Sequence, residues 1–247
     1  MEKIKIDINA DVGEGIEAEE QFIPYLSSCS IACGGHYGDA DSIRKTLMIA
    51  KHFNVKVGAH PSFPDRENFG RKVMDISPDD LQSSIEEQLT LFKTVLDDEG
   101  MAMNHIKAHG ALYNLAARDE LIANVFLDAC SKVFSDYTLY LPYNSILEAV
   151  AMERGVAFVN EAFGDRAYDF DGSLVNRSVP GSVLNRALEI FRQIEKIALD
   201  KEIVAINGAN IKIQGESYCI HGDNPKAKHI LHYINTALEI HDKLEKA

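Results

Sequence analysis

Ile4, Ile6 and Ile8 alternate with Lys5, Asp7 and Asn9, the two-residue period of a β-strand, and their β-branched side chains suit a pleated surface. One face of this strand is aliphatic. The other gathers amide and acid groups as it climbs to Asp11, after which Val12-Gly13-Glu14-Gly15 supplies a glycine-rich exit. The period then changes to that of helices. Ile43, Leu47, Ile49-Ala50 and Phe53 predict a helix over 41–53, with Asn54 as its stop. Ser77-Pro78-Asp79-Asp80 provides a serine cap, a first-position proline and first-turn acids for a helix running to Glu99 before Gly100. Further helices are expected around Ala18 to Tyr25, from about Arg118 to Phe134, and through 146–154. Another is expected from a Ser182 cap along Val183, Leu184, Ala187, Leu188, Phe191, Ile194, Ile197 and Ala198, and a last one after His221-Gly222-Asp223-Asn224-Pro225. Short strands fall between them at 28–33, 55–59, 104–108, 139–142, 156–160 and 203–206, and 211–214 with 217–220 reads as a hairpin around Gly215.

Strand followed by helix, about seven times over, is the pattern of a parallel sheet, and at 247 residues a closed (β/α) barrel is an economical way to remove the sheet edges. An open doubly wound sheet is the alternative, but it concentrates reactive groups at one switch point, whereas here they follow nearly every strand. No repeat or linker interrupts the chain, so a single domain over 1–247 is expected. The formal charge of -13 disfavours nucleic acid or an anionic membrane as the main partner. No apolar run approaches the roughly 20 residues of a membrane span, and the chain opens on a strand instead of a leader, so a cytoplasmic protein is expected. Cys29, Cys33, Cys130 and Cys219 form no CxxC pair, which argues against a zinc knuckle or a disulfide frame.

The chemistry sits at the strand ends. His36, His60, His109 and His221 each follow a predicted strand beside a glycine or proline, whereas His52, His229, His232 and His241 fall in helices as ordinary surface residues. With Asp11 the strand-end histidines form a candidate site for a divalent ion such as Zn²⁺ or Mn²⁺, at Asp11, His36, His60 and His109. Each histidine taken alone is equally consistent with simple hydrogen bonding. Lys107, two residues before His109, shares its strand face with His105 and His109 and points inward by parity. Either it neutralises Asp7 or Asp11, or it binds an anionic oxygen of a substrate. The loop carrying Glu161, Asp165, Arg166 and Asp171 suits a carboxylate or zwitterionic ligand, with a solvated, salt-bridged loop as the alternative. Gly34-Gly35 and the helix start after His221 offer backbone N–H groups, yet neither is a GxxxxGK[ST] loop.

Seven ordered blocks carry a resemblance to a known family: Asp7-Ile8-Asn9-Ala10-Asp11-Val12-Gly13-Glu14, Ile31-Ala32-Cys33-Gly34-Gly35-His36-Tyr37-Gly38-Asp39, Gly58-Ala59-His60-Pro61-Ser62-Phe63-Pro64-Asp65, Phe69-Gly70-Arg71, Lys107-Ala108-His109-Gly110-Ala111-Leu112-Tyr113-Asn114, Glu161-Ala162-Phe163-Gly164-Asp165-Arg166 with Tyr168, Asp171-Gly172 and Arg177, and Cys219-Ile220-His221-Gly222-Asp223. Together they resemble the LamB/YcsF family of lactam utilisation proteins, the A subunits of 5-oxoprolinase. Ala108 stands where that family usually has proline. The resemblance implies an irregular TIM-like barrel similar to the deacetylase superfamily. It also implies ATP-dependent opening of 5-oxo-L-proline to L-glutamate, with Mg²⁺ accompanying the ATP and subunits B and C as partners; a homo-oligomer is a further expectation. Asp11, His36, Lys107, His109 and Glu161 are then the expected catalytic residues. Asn9, Glu14, Asp39, Asn114, Arg166, Asp171 and His221 are expected around the substrate. Two other functions compete: a metal-dependent N-acyl or carbohydrate deacetylase working without ATP, and a non-catalytic substrate-binding component.

Overall fold

A computed structural model describes residues 6–16, 19–224 and 226–244, with 239–244 as backbone alone. Lys3 to Lys5 of the first predicted strand, Ala18, Pro225 and the side chain of His241 lie outside the described residues. The chain winds through β1 (Asp7–Val12), α1 (Glu19–Phe22), β2 (Ser28–Ala32), α2 (Ala40–Phe53), β3 (Lys56–His60), α3 (Pro78–Asp98), β4 (Met103–Ile106), α4 (Gly110–Ala116) and α5 (Glu120–Val133). It continues through β5 (Thr138–Pro142), α6 (Ile146–Glu153), β6 (Ala157–Phe163), α7 (Ala187–Asp200), β7 (Glu202–Val204), β8 (Asn210–Lys212), β9 (Ser217–Cys219) and α8 (Ala227–Leu244). Strands β1 to β6 and β9 form a closed barrel in that order, every neighbour parallel.

The alternation in β1 decides which side faces the helices. Ile8, Ala10 and Val12 join the hydrophobic layer beneath them, so Asp7, Asn9 and Asp11 project into the barrel. The interior is polar, where barrels of this kind usually pack branched aliphatics. At its floor Asp7 accepts hydrogen bonds from the Ser28 and Ser217 hydroxyls at 2.8 and 2.7 Å. Above it His105 bonds Ser30 at 2.9 Å and stacks on Tyr140 with ring centroids 3.8 Å apart. Gly58 makes room for that ring, since a Cβ there would lie 2.5 Å from it.

The helix starts follow their caps. Asp39 and Ser42 form a reciprocal capping box on α2, Ser77 caps α3 through the Asp80 amide, and Asp119 and Ser145 cap α5 and α6. Asn54 ends α2 in the left-handed conformation.

Three expectations are corrected. Helix α7 begins at Ala187, not Ser182, because 182–184 is extended and paired: the Ser182 carbonyl accepts from the Ala167 amide at 2.9 Å, and the Leu184 amide donates to the Asp165 carbonyl at 2.8 Å. The hairpin about Gly215 does not form. Residues 210–212 pair with 202–204 in a ribbon outside the barrel, while 217–219 closes the barrel between β6 and β1. Gly215 serves close packing, its would-be Cβ falling 2.7 Å from that of Ala162. A helix, α4, also occupies 110–116, where the sequence suggested only a loop.

Candidate active site

The carboxyl ends of the strands meet at one mouth, as the ring of βα loops requires. There a continuous run of buried ionisable groups crosses the barrel. Glu161 from β6 lies 2.7 Å from the Lys107 ammonium, which also reaches Asp11 at 2.9 Å. Asp11 approaches His60 Nε2 at 3.3 Å, and His60 Nε2 stands 2.9 Å from His109 Nδ1. Glu14 Oε1 then bridges His109 Nδ1 at 3.4 Å and His36 Nε2 at 3.0 Å. The His36 and His109 rings are stacked, centroids 3.7 Å apart, with Phe69 edge-on to both.

The backbone holds this order. His60 Nδ1 meets the Lys107 carbonyl at 2.8 Å, and His109 Nε2 meets the Phe69 carbonyl at 3.0 Å. Phe69 and Gly70 both adopt positive φ, which turns that carbonyl onto the histidine, and a Cβ on Gly70 would press on His36 and His109 at 3.0 Å. Asn9 donates to Glu161 at 2.9 Å and fixes the carboxylate against Lys107.

Burial and neighbouring charge set the protonation states. Burial pushes Asp11 up, but its neighbours His60 and Lys107 prevail and hold it well below the usual carboxylate range. Burial works against the Lys107 ammonium, yet Asp11, Cys219 and Glu161 keep it firmly charged. Glu14 is raised to about 7 by burial and then by Asp11. Burial, reinforced by His60, lowers His36 to about 3 and drives His109 well below its ordinary value.

Residues 6–245 match the family model described as the LamB/YcsF family. The chain belongs to the LamB/YcsF family. Among its curated relatives is a protein of Haemophilus influenzae (strain PittEE) named as the A subunit of 5-oxoprolinase, 39% identical over 242 residues, covering 98% of this chain and 96% of the relative. Another of the same name, from Pyrococcus horikoshii, is 36% identical and covers 96% of this chain and 94% of the relative. The crystal structure of a lactam utilization protein from Thermus thermophilus superposes with a TM-score of 0.89 at 33% identity, covering 96% of this chain and 97% of that one.

In this LamB/YcsF chain the barrel brings together Asn9, Asp11, Glu14, His36, His60, Lys107, His109 and Glu161. His221 adjoins them, one ring nitrogen lying within 4.8 Å of ligand atoms of Asp11 and Cys219. Its Nδ1 pairs with Asp165 at 2.8 Å, and it walls a cavity of about 120 Å³ also lined by Arg166, Arg177 and Asp223. Arg166 is buried there, its Nε donating to the Ser182 carbonyl at 3.3 Å. Of the two routes open to Lys107, ion pairing is realised with Asp11 and Glu161, while Asp7 is satisfied by serines instead.

Three expected substrate contacts lie apart from this cluster. Asp39 is exposed and caps α2, the Asn114 amide bonds back to the Gly110 carbonyl, and Asp171 turns onto Ser173 in an exposed bend. His52, His229 and His232 are exposed on their helices. Two features had no local signal. The Tyr113 hydroxyl and Glu161 Oε2 are buried without hydrogen-bond partners. Asp223 clasps Arg71 at 2.7 Å and Arg177 at 2.8 Å, joining three loops remote in sequence. Among the described residues three donor sets could hold a metal: Asp11, His60 and His109; Glu14, His36 and His109; and Asp11, Cys219 and His221, the ligand atoms of each set within 4.8 Å of one another.

Proposed function

We propose that the chain is the A component of an ATP-dependent 5-oxoprolinase, opening 5-oxo-L-proline to L-glutamate together with subunits B and C. The observation that carries this is the buried run from Glu161 through Lys107 and Asp11 to His60, His109 and Glu14, in a chain whose curated relatives bear that enzyme's name.

The chemistry explains why ATP is wanted. A five-membered lactam is little strained and its carbonyl is a poor electrophile. Transfer of the γ-phosphoryl group from Mg²⁺-bound ATP to the carbonyl oxygen gives ADP and an activated imidate ester. Water then adds to the carbon, the C–N bond of that adduct breaks to release the amine and leave an acyl phosphate, and a second water hydrolyses the acyl phosphate to glutamate and inorganic phosphate. Around that sequence Lys107, held charged between two carboxylates, stabilises negative oxygen developing on the substrate. Arg166 and Arg177, beside the cavity walled by His221, suit the substrate carboxylate. Glu161 Oε2 and the Tyr113 hydroxyl offer unfilled hydrogen-bonding capacity for the lactam amide. Glu14 titrates near neutrality, which fits a group that takes a proton from water and returns it to the leaving nitrogen.

The test is ATP-dependent glutamate release from 5-oxoproline, measured for this chain alone and with the partner subunits. Asp11→Asn should leave the circular dichroism spectrum intact and lower turnover of the reconstituted complex by at least 100-fold. Wild-type turnover in that variant would overturn the assignment. Chelator-sensitive deacetylation by the chain alone, without ATP, would favour the deacetylase alternative.

A further inference from the structure

The His60–His109 contact poses a hydrogen-bonding problem that these side chains do not solve by themselves. His60 Nδ1 bonds the Lys107 carbonyl and His109 Nε2 bonds the Phe69 carbonyl. A carbonyl oxygen only accepts, so both of those nitrogens carry hydrogen. A neutral imidazole has one N–H, which leaves His60 Nε2 and His109 Nδ1 as bare lone pairs. They face each other at 2.9 Å. Asp11 Oδ2 adds a further acceptor 3.3 Å from His60 Nε2, and Glu14 Oε1 another 3.4 Å from His109 Nδ1. Lone pairs so arranged repel unless something positive lies among them.

We propose that Asp11 Oδ2, His60 Nε2 and His109 Nδ1 bind one divalent transition-metal ion, with the Glu14 carboxylate beside its open side. The spacing suits this. Ligand atoms about 2.0–2.2 Å from a tetrahedral ion stand about 3.3–3.6 Å apart, against 2.9 and 3.3 Å here before any ion draws them into place. The donor chemistry, two imidazoles and one carboxylate, selects Zn²⁺, Mn²⁺, Co²⁺ or Fe²⁺ over Mg²⁺ or Ca²⁺. Each imidazole already gives its outer N–H to a backbone carbonyl, the arrangement that orients metal-binding histidines and makes them better donors.

A single proton shared by the histidines is the rival occupant, and the charge balance distinguishes them. With Asp11 and Glu161 ionised, Lys107 leaves the buried cluster one negative charge in excess, and an ionised Glu14 makes two. A proton neutralises one of these and a divalent ion both. Three protein ligands also leave a coordination position for water or a substrate oxygen, as in hydrolytic sites. The ion's presence does not depend on the lactam being the substrate.

The full chain, stripped with chelator and dialysed, would be titrated with Zn²⁺, Mn²⁺ and Co²⁺ by calorimetry, with cobalt absorption as a second readout of nitrogen ligation. The expected result is one ion per chain, at least 100-fold weaker binding in His60→Gln and in His109→Gln, and unchanged binding in His52→Gln, which alters an exposed helix residue. Because the site variants could misfold, ¹⁵N spectra of wild-type histidines provide an independent check. Metal should shift two imidazoles that each keep one N–H. A shared proton between those two rings that persists unchanged on metal addition would overturn the proposal, as would wild-type binding no tighter than that of the variants. Neither readout uses 5-oxoproline, so an inactive complex leaves this site standing and a metal-free site leaves the lactamase assignment standing.

Discussion

Lys107 is an ammonium with 2% side-chain exposure, tolerable only because two carboxylates lie within 2.9 Å of it. Removing the charge strands both acids. Lys107→Met should therefore cost about 3–5 kcal/mol and lower the melting temperature by roughly 6–20 °C at this chain length. A scanning-calorimetry shift under about 2 °C would show that the pair contributes no such stability. His105 makes a separate pH prediction. Burial, reinforced by Lys107, keeps it well below its ordinary value, and its nitrogens are engaged by Ser30 at 2.9 Å and Asn104 at 3.1 Å. A base depressed in the folded state is neutral there but protonates in the unfolded chain below about pH 6.5, so its contribution is present above that pH and declines as pH falls through it. The slope is about 1.4 kcal/mol per pH unit for one such group. His105→Gln should flatten the fall in urea midpoint between pH 7.5 and pH 5.5 relative to wild type, although the variant is less stable at the higher pH. Parallel pH profiles would refute the assignment.

At the scale of elements, the strands and helices respond to different signals. The Ser77 cap was legible because it is local, acting on the Asp80 amide three residues on; Asp39, Asp119 and Ser145 cap α2, α5 and α6 in the same local way, although the sequence reading named none of them as caps. Asp39 was expected around the substrate from its place in a block shared with the family, and a carboxylate at a strand-to-helix turn suits a cap equally well. Capping α2 from an exposed position, Asp39→Ala should lower the urea midpoint and leave KM for substrate unchanged. A several-fold rise in KM at unaltered stability would return Asp39 to the substrate site. The segment 182–220 was misread because its partners are distant. Amphipathic spacing from Val183 favours helix, but pairing with 165–167 holds 182–184 extended. Likewise Ser217-Tyr218-Cys219 finds partners in β1, some 210 positions earlier, and in β6. No window of local pattern contains either partner.

Across the whole molecule, three loops are tied by Asp223 to Arg71 and Arg177, all partly exposed. Exposed pairs contribute little to stability, about 0–1 kcal/mol each, so the effect of this clasp is on loop position. Asp223→Ala should barely move the melting temperature yet speed limited proteolysis within 164–186, read by mass spectrometry of the fragments. Unchanged cleavage would mean the loop is held by its own bridges. The sequence by itself determined the βα order, the acidic rise along β1, the inward parity of Lys107 and most of the residues at the mouth. These follow from periods of two and 3.6 residues and from side-chain chemistry, which any short window displays. Tertiary structure alone decided that β9 closes the barrel, that Lys107 pairs with Asp11 and Glu161 in preference to Asp7, and that two histidine lone pairs face each other. Those outcomes depend on distances between groups 49 to 210 positions apart, set by barrel closure and by backbone carbonyls that fix each ring's tautomer.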